Sequence, residues 1–263
     1  MSDNYITIID YFLSNGQKTF SLDQVAKLRK NNRVSAKAAI HKLLRKKYIR
    51  SIAKGFYVIY SPSERASKMI SPDMYIDALM RHQKTAYYVG LLSAANLYGA
   101  SHNRPSSYHV VTASQIRLSK LLLGNMAVHS KIQFPNCCIV QKKGVYGYIH
   151  YSSPALTAYD LVKFERACGG IENVVLILSE LEKSITMTDM KQLIKNRTEV
   201  AIIQRLGYLM EFLGSQKKSA LLFPIVKRAT TYIPLSQLLP KAGEKNMKWK
   251  VIVNSSLEFQ NDT

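Results

Sequence analysis

Acidic residues are scarce in this chain. Its 263 residues hold 17 Asp+Glu against 37 Lys+Arg, a formal net charge of +20. That scarcity weighs against a metal-dependent nuclease, which needs carboxylates gathered around Mg²⁺; Asp160 and Glu165 qualify by residue type alone. Cysteine is almost absent too. Cys137, Cys138 and Cys168 form no Cys-x-x-Cys pair and no zinc spacing, so they read as buried, reduced thiols of an intracellular protein. Long apolar runs are missing: the longest, Val174 to Leu178, falls far short of the roughly 20 residues that span a bilayer. Met1-Ser2-Asp3-Asn4 lacks the basic start and apolar core of a signal peptide, so a cytoplasmic protein without a membrane partner is expected. There is no Gly-x-x-x-x-Gly-Lys-Ser/Thr loop, no Gly-x-Ser-x-Gly elbow and no His-Glu-x-x-His. No two of the six histidines stand at metal-ligand spacing. The expectation is therefore a protein with no catalytic residue, no metal and no cofactor.

What is present is concentrated at the start. Residues 1–60 carry 12 Lys+Arg against Asp3, Asp10 and Asp23, and the stretch from Gln24 to Lys54 has no acid at all. Charge of one sign gathered in this way suits a polyanion. Within it, Ala36, Ala39, Ile40 and Leu43 recur at i, i+3, i+4, i+7, the signature of a helix with one buried face. Lys37, His41, Lys42 and Arg45 fall on the other face.

Elements around that helix complete a pattern. Tyr5, Ile8, Ile9 and Phe12 predict an amphipathic helix ending at Asn15-Gly16. Ser21 followed by Gln24 is a capping box for a second helix, expected to end near Asn31-Asn32, and the third should run from about Ser35 to Lys47. Tyr48 to Ile52 and Phe56 to Tyr60 read as strands joined through Ala53-Lys54-Gly55. Three helices and a hairpin make a winged helix-turn-helix, expected over residues 1–62 with Ser61-Pro62-Ser63 closing the wing. In such a domain the start of the third helix faces base edges. Arg33, Ser35 and Lys37 are placed for this, with His41 one turn on. Lys42, Arg45 and Lys46 fall toward phosphate, and Arg50 and Lys54 flank the wing tip. Phe56 and Tyr57 are expected to pack beneath the wing. For any one lysine alone, a solvated face residue is the plainer interpretation; the absence of acids across the face lifts the set above it.

Residues 63–263 are expected to form a larger α+β domain rich in helices, so the fold class is α+β overall. Ser71-Pro72 should open a helix, Tyr87 to Tyr98 a buried helix stopped by Gly99, and Tyr108 to Thr112 a strand. Lys131 to Phe134, Cys137 to Gln141 and Val145 to Tyr151 also read as strands. Helices are expected at Ala155 to Phe164, Ile171 to Lys183, Met187 to Lys195 and Thr198 to Leu213, with short extended segments at Leu235 to Leu239 and Trp249 to Val253. Glu165, Glu172, Glu180 and Glu182 read as solvated. Gly207, inside a helix, signals close packing, since glycine there costs about 1 kcal/mol relative to alanine. Beside it, Arg205 is placed either against a buried carboxylate or toward a partner.

Several segments carry a resemblance. Lys54-Gly55-Phe56-Tyr57-Val58-Ile59, Tyr88-Val89-Gly90-Leu91-Leu92-Ser93-Ala94-Ala95-Asn96-Leu97-Tyr98-Gly99-Ala100, Ser152-Ser153-Pro154-Ala155-Leu156-Thr157-Ala158-Tyr159-Asp160-Leu161 and Arg205-Leu206-Gly207-Tyr208-Leu209 together resemble the AbiEi family, antitoxins of bacterial type IV toxin–antitoxin systems. Each motif is loose, and their order and spacing carry the likeness over most of the chain; the tail beyond Lys241 departs from it. The resemblance implies a bacterial protein whose first domain binds inverted repeats of double-stranded promoter DNA and represses its own operon. It also implies a second domain that counters a nucleotidyltransferase-like toxin without a stable complex. Two other classes compete: a one-component regulator whose second domain senses a ligand, and a nuclease targeted by the winged domain.

Overall fold

The computed structural model describes residues 6–100, 105–116, 126–195 and 198–257. The chain divides into two compact units, one of residues 1–87, 111–132 and 141–150, the other of residues 88–110, 133–140 and 151–263.

The first unit begins with the winged helix. Helix α1 (Ile6–Ser14) ends at Gly16, whose φ of +67° is a conformation glycine adopts without strain. Strand β1 (Thr19–Ser21) leads directly into α2 (Leu22–Leu28), which opens with the expected capping box: Gln24 N–H donates to Ser21 Oγ at 3.2 Å, and Ser21 N–H to Gln24 Oε1 at 2.7 Å. Helix α3 (Arg33–Arg45) starts two residues earlier than its periodicity predicts. The reason is Asn32, which caps α3 by accepting from Ser35 N–H at 2.9 Å. Strands β2 (Ile49–Ala53) and β3 (Phe56–Ile59) form the wing, and the sheet order is β1-β3-β2, all antiparallel. Gly55, at φ +70°, turns the tip. Its carbonyl accepts from Leu22 N–H at 2.9 Å, so the wing tip is bonded to the start of α2.

One core holds these pieces. Ile8, Ile9, Phe12, Phe20, Val25, Ala26, Ala36, Ala39, Ile40, Leu43, Ile49 and Ile59 are all buried together, with the rings of Phe12 and Phe20 stacked at 4.9 Å. Phe56 is buried and Tyr57 half-buried, so both pack as expected. Ser61-Pro62-Ser63 does more than close the wing. Ser61 caps a further helix, α4 (Pro62–Ser67), with Pro62 in the first turn, where its missing N–H costs nothing. Lys18, almost fully buried, pairs with Glu64 of that helix at 2.6 Å. Burial pushes the Glu64 carboxyl up, yet the hydrogen bonds from Lys18 and Ser61 hold it below its ordinary value. After a short 3₁₀ turn at Pro72–Met74 comes α5 (Ile76–Gln83).

Tyr87 to Tyr98 is not one helix. It divides into strand β4 (Tyr87–Val89) and helix α6 (Leu91–Leu97). Tyr87 to Val89 is apolar throughout and carries no periodicity to choose between the two; tertiary pairing decides. Val89 pairs in parallel with Tyr151, and Gly90 N–H donates to the His109 carbonyl at 3.1 Å. Strand β5 (Tyr108–Thr112) matches its expected bounds, followed by β6 (Met126–Ser130), β7 (Ile139–Gly144) and β8 (Gly147–Ser152). The sheet order is β6-β5-β4-β8-β7. Lys131 to Phe134 lies outside any strand, because the pairing partner of this sheet is the segment just before it.

The second unit is dominated by helices α7 (Pro154–Lys163), α8 (Ile171–Leu181), α9 (Met187–Lys195) and α10 (Val200–Phe212). Helix α11 (Gln216–Val226) carries Pro224 inside it and has no counterpart among the sequence expectations. The tail forms a small sheet of β9 (Ile233–Pro234), β10 (Glu244–Asn246) and β11 (Val251–Val253), ordered β10-β11-β9.

Gly207 has the close-packing role its position implies. The Trp249 indole lies over it, so a Cβ there would stand 2.1 Å from Trp249 Cζ3. Trp249 is fully buried, and its indole N–H donates to Glu211 Oε2 at 2.8 Å. Glu165 departs from expectation: it is buried, not solvated. Ser236 Oγ and Gln237 N–H donate to its carboxylate, the latter at 2.9 Å, and Arg205 Nη1 stands 3.8 Å away. Arg205 is thus resolved as a buried partner of a carboxylate. A second buried acid, Asp160, accepts from the Tyr88 hydroxyl at 2.6 Å. The cysteines are free thiols, Cys138 and Cys168 buried and Cys137 half-buried, with thiol pKa values of Cys138 and Cys168 pushed up to about 12 by burial.

Candidate nucleic-acid interface

The site grows out of how α3 is seated. Ala36, Ala39, Ile40 and Leu43 anchor it to the core, which leaves every other side of the helix to solvent. Arg33, Val34, Lys37, Ala38, His41, Lys42 and Arg45 are exposed, as are Lys46 and Lys47 just past its end. The i, i+4, i+8 spacing of Lys37, His41 and Arg45 puts them on one stripe. Lys42 and Arg45 in the last turn also complement the partial negative charge of the helix C-terminus.

The expected site residues separate into three groups. Lys37, His41, Lys42, Arg45 and Lys46 are brought together on the exposed surface of α3 and its end. Arg33 and Ser35 are engaged within the protein. Arg33 Nη2 pairs with Asp23 Oδ1 at 2.9 Å, both side chains well exposed, and Ser35 Oγ accepts from Arg29 Nη1 at 2.8 Å while being only partly exposed. Asp23 lies one residue outside the acid-free stretch, but the turn between α2 and α3 brings it onto the start of α3. The third group is the wing. Lys54 is exposed at the tip, whereas Arg50 is half-buried, with Nη1 3.4 Å from the Lys68 carbonyl. The Lys54 carbonyl is itself 3.1 Å from His82 Nε2.

Val34 was absent from the sequence expectations. It is 79% exposed. The signal was available: Val34, Lys37, Ala38 and His41 continue the solvent stripe at i, i+3, i+4, i+7. A search keyed on charge passes over it.

Among the described residues, no group of three or more His, Cys, Asp or Glu is placed to hold a metal ion, and no helix is long and apolar enough to cross a membrane.

Two helices joined by a tight turn, a third strand-linked helix and a β-hairpin wing define a winged-helix protein of α+β class. Residues 88–212 match the family described as the AbiEi antitoxin C-terminal domain. Over these residues the chain is similar to that family, and the likeness supports an antitoxin role. Among solved structures, the chain is similar in fold to the RV2827C protein from Mycobacterium tuberculosis, with a TM-score of 0.67 at 13% sequence identity, covering 94% of this chain and 90% of that one. No curated protein matches the sequence.

Proposed function

We propose that this protein is the antitoxin of a bacterial type IV toxin–antitoxin system and represses its own operon from the cytoplasm. Residues 1–62 bind inverted repeats in double-stranded promoter DNA. Residues 63–263 counter a nucleotidyltransferase-like toxin, without catalysis of their own and without forming a stable complex with it. The observation that carries the DNA half is the exposed cationic surface of α3, anchored from behind by four buried residues. The antitoxin half is supported by the family match over residues 88–212.

In this scheme Lys37 and His41 face base edges, on the exposed stripe that begins at the start of α3. Arg33 and Ser35 hold the start of that helix in register through Asp23 and Arg29. Lys42, Arg45, Lys46, Arg50 and Lys54 meet phosphates, which supply affinity and register but no sequence preference. If about six phosphates are neutralised, log K falls against log salt with a slope of about −5. Band shifts of the promoter fragment at several salt concentrations measure that slope. A flat salt response, or equal binding to scrambled DNA, refutes sequence-specific repression. Growth rescue on co-expression with the neighbouring toxin gene tests the other half separately.

A further inference from the structure

The surface of α3 contains an apolar group that charge does not explain. Val34 stands in its first turn, 79% exposed, and Ala38 is exposed one turn later. Valine is a weak helix former because its branched Cβ loses rotamer freedom against the preceding turn, and no burial compensates at this position. Its neighbours are occupied within the protein, Arg33 by Asp23 and Ser35 by Arg29. The groups that α3 turns outward in one stripe from its start are therefore Val34, Lys37, Ala38 and His41. In the major groove, the one apolar feature on a base edge is the 5-methyl group of thymine, and small apolar side chains read it by contact.

We propose that Val34 reads a thymine by packing on its 5-methyl group, with the small Ala38 letting the helix approach closely enough for that contact. Each repeat of the operator then carries a T·A pair opposite the first turn of α3. This inference rests on the DNA-binding function proposed above and adds the identity of one base and the chemical group recognised.

The test replaces each thymine of one repeat, singly, with deoxyuridine. The exchange deletes the methyl and leaves the hydrogen-bonding edge intact. With the unaltered protein, one position should cost about fourfold in affinity, the value of a single buried methyl-sized group. Val34→Ala should bind the thymine operator about fourfold more weakly and lose sensitivity at that one position, while Lys37→Ala keeps it. A thermal melt no lower than that of the unaltered protein confirms that Val34→Ala is folded, since alanine is the better helix former at an exposed site. Uniform indifference of the unaltered protein to uracil overturns the inference, as does a Val34→Ala profile identical to that of the unaltered protein. In both cases promoter preference itself persists, which separates this failure from that of the DNA-binding function. Loss of any preference for the promoter over scrambled DNA overturns both.

Discussion

Helix α3 and helix α10 both carry basic residues, and the fold treats them in opposite ways. On α3 the cations point into water, and Asp23 pairs with Arg33 at the start of the helix. On α10 the single arginine, Arg205, is buried beside Glu165, and that carboxylate is further bonded by Ser236 and Gln237. Burial pushes the Arg205 guanidinium below its ordinary value, while Glu165 pulls it back up. A buried charge must be satisfied from within, because the interior does not replace lost hydration. An exposed charge is satisfied by water and counterions, and it remains available to a polyanion. The comparison teaches that the fold treats charge in two ways: in one region it binds the tail to the helices, in the other it is left to solvent.

The sharpest way to break the comparison is to remove the buried acid. Glu165→Ala leaves Arg205 buried without its carboxylate and should destabilise the protein by about 3–5 kcal/mol, read as a lower midpoint in chemical denaturation. A loss below about 1 kcal/mol would show that Arg205 is hydrated after all.

Gly207→Ala probes the packing next to that network. Helix propensity alone would raise stability by about 1 kcal/mol. The collision with Trp249 predicts the opposite sign, a loss of about 1–3 kcal/mol, so the direction of the melting shift decides which effect governs.

On the exposed side, Lys37→Ala and Lys46→Ala should diverge. The first should relax preference at one base position by about 1–3 kcal/mol. The second should weaken all sequences alike and reduce the salt slope by about 1. Identical binding profiles for the two would dissolve the division between base and phosphate contacts.

The smallest effect belongs to Asp23→Asn. An exposed ion pair contributes about 0–1 kcal/mol to stability, so the melt should barely move. Removing the acid paired with Arg33 should nonetheless tighten DNA binding, by a few-fold at low salt and less at high salt. Unchanged affinity at every salt concentration would place Asp23 outside the interface.

Much of the winged helix was legible because its signals are local. The 3.6-residue spacing of Ala36, Ala39, Ile40 and Leu43, the Ser21–Gln24 box and Gly55 at the turn each act within a few residues, and the structure shows all three. Asn32 was misjudged as the end of α2 because an asparagine between two helices serves equally well as a stop or as a cap. Tyr87 to Val89 was misjudged because an apolar run without periodicity suits a buried strand as well as a helix. The same limit applies to the candidate site. Lys37, His41, Lys42 and Arg45 were legible as one face. The engagement of Arg33 by Asp23 depends on the turn between the helices, which periodicity does not specify.

By itself the sequence determined where charge gathers, which residues form the buried side of α3 and that Gly207 needs space. Each follows from chain-local chemistry: helical period, capping geometry, the missing Cβ. The tertiary structure alone decided what fills that space and which charges are spent. Trp249 reaches Gly207 from 42 residues away, and Glu165 meets Ser236 and Gln237 from more than 70. An isolated acid looks the same in sequence whether it faces water or an arginine. Only the fold, by removing solvent around it, gives the distinction an energy.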